Sequence, residues 1–216
     1  MRNVYMYVVA RDFGFAPNPF HGVCTLATCK PMIRRAAQAG DWVIGMGGAQ
    51  LKAVGRCIYA MQVTDALTFD AYWDDPEYRC KRPVRNGSRK TIMGDNIYHR
   101  PAGATEWVQE DSHHSQIDGR PEPSNIKNDT QTNRVLISRN FYYFGEAAPS
   151  IPAAIFAHLG YKNGIGHRKY TLAQAQPLLD WLDAEYEGRI SIVIGKPHQF
   201  MSSSSRYSKR VNKIVD

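Results

Sequence analysis

The sequence predicts an α+β domain built on a curved sheet or a small β-barrel, with flanking helices. Roughly five or six strand-like segments and three helical ones can be read, and they do not alternate regularly, which disfavours a doubly wound parallel sheet. Residues 54–63 carry apolar side chains on both parities, Ile58 and Ala60 on one and Cys57, Tyr59 and Met61 on the other, so both faces of that strand are expected to be covered. Neither G-x-G-x-x-G nor G-x-x-x-x-G-K-[ST] occurs, so the phosphate cradles that accompany doubly wound sheets are absent.

Residues 5–10, Tyr-Met-Tyr-Val-Val-Ala, are β-branched and aromatic and read as a buried strand. A secretory signal needs a longer apolar core and a small-residue cleavage site, so a cytoplasmic protein is expected. Residues 11–22 form a loop with Gly14, Pro17, Pro19 and Gly22, and residues 23–28 a short strand. Pro31 suits the first position of a helix that runs to Ala39 and closes at Gly40. A strand follows over 41–45, then a turn at 46–48 and the long strand at 54–63. Thr68 can cap a short helix whose Phe69, Tyr72 and Trp73 share one face.

From 79 to 134 the sequence turns polar and basic, rich in Gly, Pro, Asn and Asp, and reads as a long insertion in a single domain spanning 1–200. Strand character returns at 135–138 and 141–145. Residues 171–187 have a helical pattern with Leu178, Leu179, Leu182 and Tyr186 on one face. Pro177 either kinks this helix or starts it, and Gly188 ends it. Residues 189–195 read as a last strand and 201–216 as a flexible basic tail.

Lys and Arg total 27 against 20 Asp and Glu, a net charge of +7, which favours anionic partners such as a nucleotide or nucleic acid. No apolar run approaches the roughly 18 residues of a membrane span. The four cysteines, Cys24, Cys29, Cys57 and Cys80, show no C-x-x-C spacing and are expected to be free thiols in a reducing compartment, with no metal and no cofactor. Oligomeric state is not legible.

Several constellations could carry chemistry. Lys30 and Arg34 stand one turn apart at a helix start, where both could reach one anion. Arg82, Arg85, Arg89 and Lys90 form the densest basic run, a candidate phosphate or nucleic-acid contact. Asp95, Asn96 and Tyr98 place a carboxylate, an amide and a phenol together, the edges and ring that read a base. Trp42 and Tyr143 add aromatic candidates, and Tyr142 with Phe144 could form a stacking platform. The His113-His114 doublet with Glu110 and Asp111 is poor metal geometry, because adjacent side chains point apart. A zinc deaminase is disfavoured, since no H-x-E precedes a P-C-x-x-C. Ser138, Cys24 and Cys29 are available nucleophiles without a recognised signature around them. For acid–base work the candidates are His21, Asp95 and His113, in pairs such as Asp41 with His21 or Asp95 with His113.

The run Ala39-Gly40-Asp41-Trp42-Val43-Ile44-Gly45, a glycine turn, and then Val54-Gly55 leading into a second strand resembles the pattern of EVE and other PUA-like domains. Those are small barrels that bind RNA or modified bases. A longer series covers nearly the whole chain: residues 15–22 (Phe-Ala-Pro-Asn-Pro-Phe-His-Gly), Cys29-Lys30-Pro31 with Arg34, Gly40-Asp41-Trp42-Val43, Gly94-Asp95-Asn96-Ile97-Tyr98 with His113, Ser138 with residues 141–145, and Trp181-Leu182. This series resembles the nucleotide modification associated domain 2 family. The resemblance implies a role in making or handling modified DNA bases, in phage or bacterial systems. The expected function is therefore recognition of a nucleotide or modified base. The alternatives are an enzyme acting on a nucleotide or nucleobase, and a protein whose basic face meets an acidic partner.

Overall fold

A computed structural model describes residues 2–215. The chain begins with β1 (Asn3–Val9), β2 (Cys24–Leu26), α1 (Pro31–Ala36), β3 (Trp42–Gly47), β4 (Cys57–Gln62), β5 (Asp65–Leu67) and α2 (Phe69–Asp74). The expected insertion holds α3 (Arg89–Ile92), β6 (Tyr98–His99), β7 (Val108–Gln109) and α4 (Pro123–Asp129). Then come β8 (Val135–Ser138), β9 (Asn140–Tyr143), α5 (Ala153–Leu159), β10 (His167–Thr171), α6 (Leu172–Glu185), β11 (Ile192–Val193) and a closing hairpin of β12 (Arg206–Ser208) and β13 (Lys213–Val215).

Six strands form a mixed sheet in the order β10-β1-β3-β4-β9-β11. β1 pairs parallel to β3 and antiparallel to β10, β4 lies antiparallel between β3 and β9, and β11 runs parallel to β9. A second, antiparallel sheet has the order β2-β8-β5. The chain passes between the sheets four times, from β1 to β2, from β2 to β3, from β4 to β5 and from β8 to β9. The Thr64 N–H donates to the Ile137 carbonyl at 2.8 Å at the β4–β5 corner. β10 and β11 remain edge strands, so among the described residues there is no closed barrel. The architecture is mixed α/β with an open sheet, which corrects the expectation of a barrel.

Burial explains why the central strands form where they do. β3 is buried at every residue and β4 at all but its last, as double-sided apolar patterning requires. α6 begins with the capping box of Thr171 and Gln174 and buries Ala175, Leu178, Leu179 and Leu182 in the core of the large sheet. Pro177 lies within this helix. Thr68 caps α2 through a bond from the Ala71 N–H, as its position predicts.

Three elements depart from the sequence reading. α1 stops at Ala36 instead of Ala39, because the Asp41 carboxylate takes the N–H groups of Gln38 (2.9 Å) and Asn3 (2.7 Å) and draws the chain toward β3. The sharp reversal is made at Gly40, at φ 88°. The strand expected over 189–195 pairs only at Ile192–Val193. Residues expected to be a flexible tail form the β12–β13 hairpin instead, held by the buried Arg206 on Asp111 and the Ser112 carbonyl and by the Tyr207 N–H on the His113 carbonyl.

The insertion builds a second apolar core. Met93, Ile97 and Tyr98 from it pack with Phe15, Phe69, Tyr78 and Ile137. Its apolar residues are few but include large rings. The polar ones between them are tied to backbone groups: Lys81 donates to the Asn18 carbonyl and side chain and to the Val23 carbonyl at 2.7–3.0 Å.

Candidate active site

The chain leaving β2 turns abruptly at Cys29 (φ 58°) and Lys30 (φ 39°), two consecutive non-glycine residues in left-handed conformation. Such a residue costs about 1–3 kcal/mol and persists only where neighbours over-determine it. Here they do. The Cys29 N–H donates to Asp129 Oδ1 at 2.8 Å, and Arg34 Nε donates to the Cys29 carbonyl at 2.8 Å, so the peptide groups on both sides of the sulfur are held. Arg34 is fully buried, and its guanidinium also donates to the carbonyls of Asp129, Thr132 and Arg134 and lies 5.4 Å from the Phe69 ring centre. It fastens the turn of Cys29 to the end of α4.

Asp129 is the last residue of α4, and the loop after β7 brings His114 beside it. The His114 carbonyl is fixed by Asn125 Nδ2 (2.7 Å) and Gln109 Nε2 (3.1 Å). His114 Nδ1 donates to Asp129 Oδ2 at 2.7 Å, and His114 Nε2 faces Cys29 Sγ at 3.8 Å. The Tyr98 hydroxyl donates to the same Oδ2 at 3.0 Å, and Asn128 Nδ2 to Oδ1 at 3.0 Å. Sulfur, imidazole and carboxylate thus stand in series, in the order of a nucleophile, its base and the group that orients the base.

Electrostatics match the geometry. Burial alone would lower the His114 pKa, but the Asp129 charge, Cys29 and the bonds to both push it up to about 10, so the ring is an imidazolium at neutral pH. Burial would raise the Asp129 carboxyl, yet His114 and Arg34 hold it below the usual carboxylate range. The next-door His113 behaves oppositely. Burial, with the His114, Arg85 and Arg206 charges, drives it down to about 3, and its Nδ1 donates to the Ser205 carbonyl at 2.7 Å, which leaves Nε2 without a proton.

Cys29, His114 and His113 open onto a cavity of about 360 Å³. Phe13, Phe15, Tyr7 and Tyr207 supply ring surfaces, and Arg11, Lys30 and Lys209 supply cations.

The residues singled out from sequence scatter relative to this cavity. Lys30 and His113 line it. Tyr98 and Arg34 lie behind it and position the triad. Asp95 and Asn96 are buried in the second core, where Thr25 and Tyr72 donate to the Asp95 carboxylate at 2.6 and 2.9 Å and Asn96 donates to the Tyr72 carbonyl at 2.8 Å. Trp42 and Tyr143 belong to the core of the large sheet, Tyr143 donating to Asp12. Tyr142 and Phe144 stack on each other in the same core. His21 is an exposed turn residue near the Lys81 and Lys90 charges. Arg82 lies flat on Trp73 at 3.6 Å and donates to its carbonyl, and Arg85 donates to the Ser204 carbonyl at 2.8 Å, while Arg89 and Lys90 are exposed on α3. The functional residues that sequence reading left unassigned are His114 and Asp129. Cys29 is separated from His114 by 85 residues and His114 from Asp129 by 15, so no local motif joins them.

The same three side chains could be asked to hold a cation, since their ligand atoms lie within 4.8 Å of one another. The thiol and the carboxylate, however, meet opposite nitrogens of the imidazole. That is a relay rather than a set of ligands converging on one point.

The family model for nucleotide modification associated domain 2 matches residues 1–204. The chain therefore belongs to that family. No curated protein and no solved structure matches it. No helix among the described residues is long and apolar enough to cross a membrane.

Proposed function

We propose that this protein is a cysteine-dependent enzyme that transfers or hydrolyses an acyl-type group on a nucleotide or nucleobase. The observation that carries the reading is the series Cys29–His114–Asp129, with a half-buried sulfur and a buried imidazole and carboxylate, opening on a cavity. Cys29 Sγ would attack an electrophilic carbon of the substrate, forming a carbon–sulfur bond. The imidazolium of His114 would give its Nε2 proton to the leaving group. The sulfur enters as the thiolate; in the second half neutral His114 would take a proton from water or an acceptor amine or alcohol, whose attack breaks the carbon–sulfur bond, releases the product and restores the thiolate and imidazolium. Asp129 keeps the ring in the orientation that both transfers need.

Family membership supports the nucleotide theme. Pure recognition of nucleic acid is less well supported, because Arg82 and Arg85 from the basic run are engaged within the fold. A reader also has no use for a strained thiol beside an imidazolium.

Iodoacetamide labelling with intact-mass analysis tests the proposal. Cys24 and Cys57 are buried and Cys80 is exposed, so the contest is between Cys29 and Cys80. Cys29 should alkylate much faster than Cys80 near pH 6.5, and His114→Gln should remove the difference. Equal rates at the two thiols, or a rate at Cys29 indifferent to His114, would refute the triad.

A further inference from the structure

We infer that the cavity is a site for a free nucleoside monophosphate, whose phosphate is held by Lys30 and Lys209 and whose outer wall is the C-terminal hairpin. The inference rests on the enzymatic reading only for what happens after binding.

The charge census of the cavity comes first. Arg11, Lys30, Lys209 and the His114 imidazolium line it, and no Asp or Glu does. Lys30 is half-buried there, and among the described residues its ammonium has no hydrogen-bond or salt-bridge partner. Its near neighbour is the face of the Tyr7 ring, with Nζ 4.3 Å from the centre. Burial and the Lys209 charge both depress its pKa, against the opposite pull of Cys29. A cation withdrawn from water without a counter-ion is unfavourable, and a bound anion removes the penalty. Lys209 lines the same cavity, so two ammonium groups face one space beside the thiol.

The remaining walls are flat rings and apolar groups, suited to a base and a sugar. A volume of about 360 Å³ sits at the low end of ligand pockets, which run from about 300 to 1,000 Å³. One nucleotide fits that space. A polymer would have to flip its base inside and lay its backbone along a basic track outside. Arg82 and Arg85, the residues that would begin such a track, are bound to Trp73 and Ser204.

The hairpin adds a wall from beyond the residues that the family model matches. The family match ends at residue 204, whereas Tyr207, Lys209 and Asn212 all line the cavity. The hairpin is pinned to the rest of the wall. Arg11 donates to the Asn212 carbonyl at 2.7 Å and lies 5.0 Å from the centre of the Tyr207 ring, and the Tyr207 N–H donates to the His113 carbonyl at 2.7 Å. Lys30 is therefore contributed by the family domain and Lys209 by the segment beyond it.

The test uses the full chain carrying Cys29→Ser, so that binding is read without chemistry. The probes are the deoxynucleoside 5′-monophosphates, their nucleosides, inorganic phosphate and a short single-stranded oligonucleotide, followed by calorimetry. At least one monophosphate should bind about tenfold or more tightly than its nucleoside. Lys30→Ala and Lys209→Ala should each weaken it about tenfold, Lys30→Arg should retain most of the affinity, and the exposed Arg210→Ala should change nothing. The same monophosphate should slow iodoacetamide labelling of Cys29 in the wild type. An oligonucleotide that binds more tightly than every monophosphate would overturn the inference in favour of a polymer. No binding by any monophosphate, or binding indifferent to both lysines, would remove the site. Labelling of Cys29 in the absence of nucleotide is a separate measurement, so either proposal can fail without the other.

Discussion

Asp129→Asn isolates what the carboxylate does for the imidazole. His113 and His114 are adjacent and both buried, yet one is held down to about 3 and the other pushed up to about 10. Burial lowers both; Asp129 and Cys29 raise His114, while the His114, Arg85 and Arg206 charges lower His113 further. Replacing the carboxylate by an amide removes the charge that raises His114 most and should lower its pKa from about 10, favouring the neutral ring. The amide also supplies an N–H₂ where Oδ2 now accepts from Nδ1. Nδ1 must then accept, the one remaining ring proton sits on Nε2, and the ring no longer presents a positive charge to Cys29 Sγ. Labelling of Cys29 at pH 7 should slow by about 10²-fold or more, the range lost when positioned acid–base chemistry is removed. The fold should survive. One amide oxygen can still accept from the Cys29 N–H, and rearranging the bonds of Tyr98 and Asn128 should cost about 1–3 kcal/mol. For a chain of this size that lowers the melting temperature by about 2–12 °C. A variant that melts lower but labels at the wild-type rate would show that Asp129 only braces the fold, and the relay would have to be abandoned.

Stability should fall on both sides of neutrality, for opposite reasons. His114 binds its proton more tightly folded (about 10) than unfolded (6.5), so its contribution is complete below pH 6.5 and is lost as pH rises through 10. His113 binds its proton less tightly folded (about 3), so its contribution is complete above pH 6.5 and is lost as pH falls toward 3, with the depressed Asp129 acting in the same direction. Melting temperature against pH should show this dome, His114→Gln flattening the alkaline limb and His113→Gln the acid limb; a profile unchanged by either variant would refute the assignment. Arg34→Lys keeps the charge but cannot reproduce a planar fork donating to four carbonyls, and should destabilise by about 2–5 kcal/mol while also slowing Cys29 labelling. Labelling at the wild-type rate in a folded Arg34→Lys protein would count against its role in shaping the turn.

Much of the large sheet was legible because its information is local. Double-sided apolar patterning marked β4, and capping residues marked the starts of α2 and α6. α1 is shorter than its sequence predicts because helix propensity through Ala39 loses to the Asp41 carboxylate, whose bonds to the Gln38 and Asn3 amides depend on β1 lying alongside β3. The insertion hid its order for a related reason. Its polar residues look solvated in sequence, but Lys81, Asp95, Asn96 and Asn125 are buried and paired across long separations. Chemically rich residue types thus drew attention to Asp95 and Asn96, which hold the second core together, while Asp129 lay inconspicuous at the end of a polar helix.

The histidine doublet shows how one local rule can point to the right residues for the wrong reason. Adjacent side chains diverge, which is why the pair makes a poor metal site. The same divergence sends His113 to the Ser205 carbonyl and His114 to Asp129, and gives two neighbouring imidazoles opposite proton affinities. One becomes a neutral wall of the cavity, the other a charged partner for sulfur. The strained turn at Cys29 and Lys30 divides roles in the same way, committing the thiol to the relay and leaving the ammonium beside it without a counter-ion among the described residues. Both divisions depend on Arg34 and Asp129, which tie the end of α4 to the turn after β2. The chemistry of this site is therefore a property of how the insertion docks on the sheet, and a lesion at that junction should disable the thiol before it unfolds the sheet.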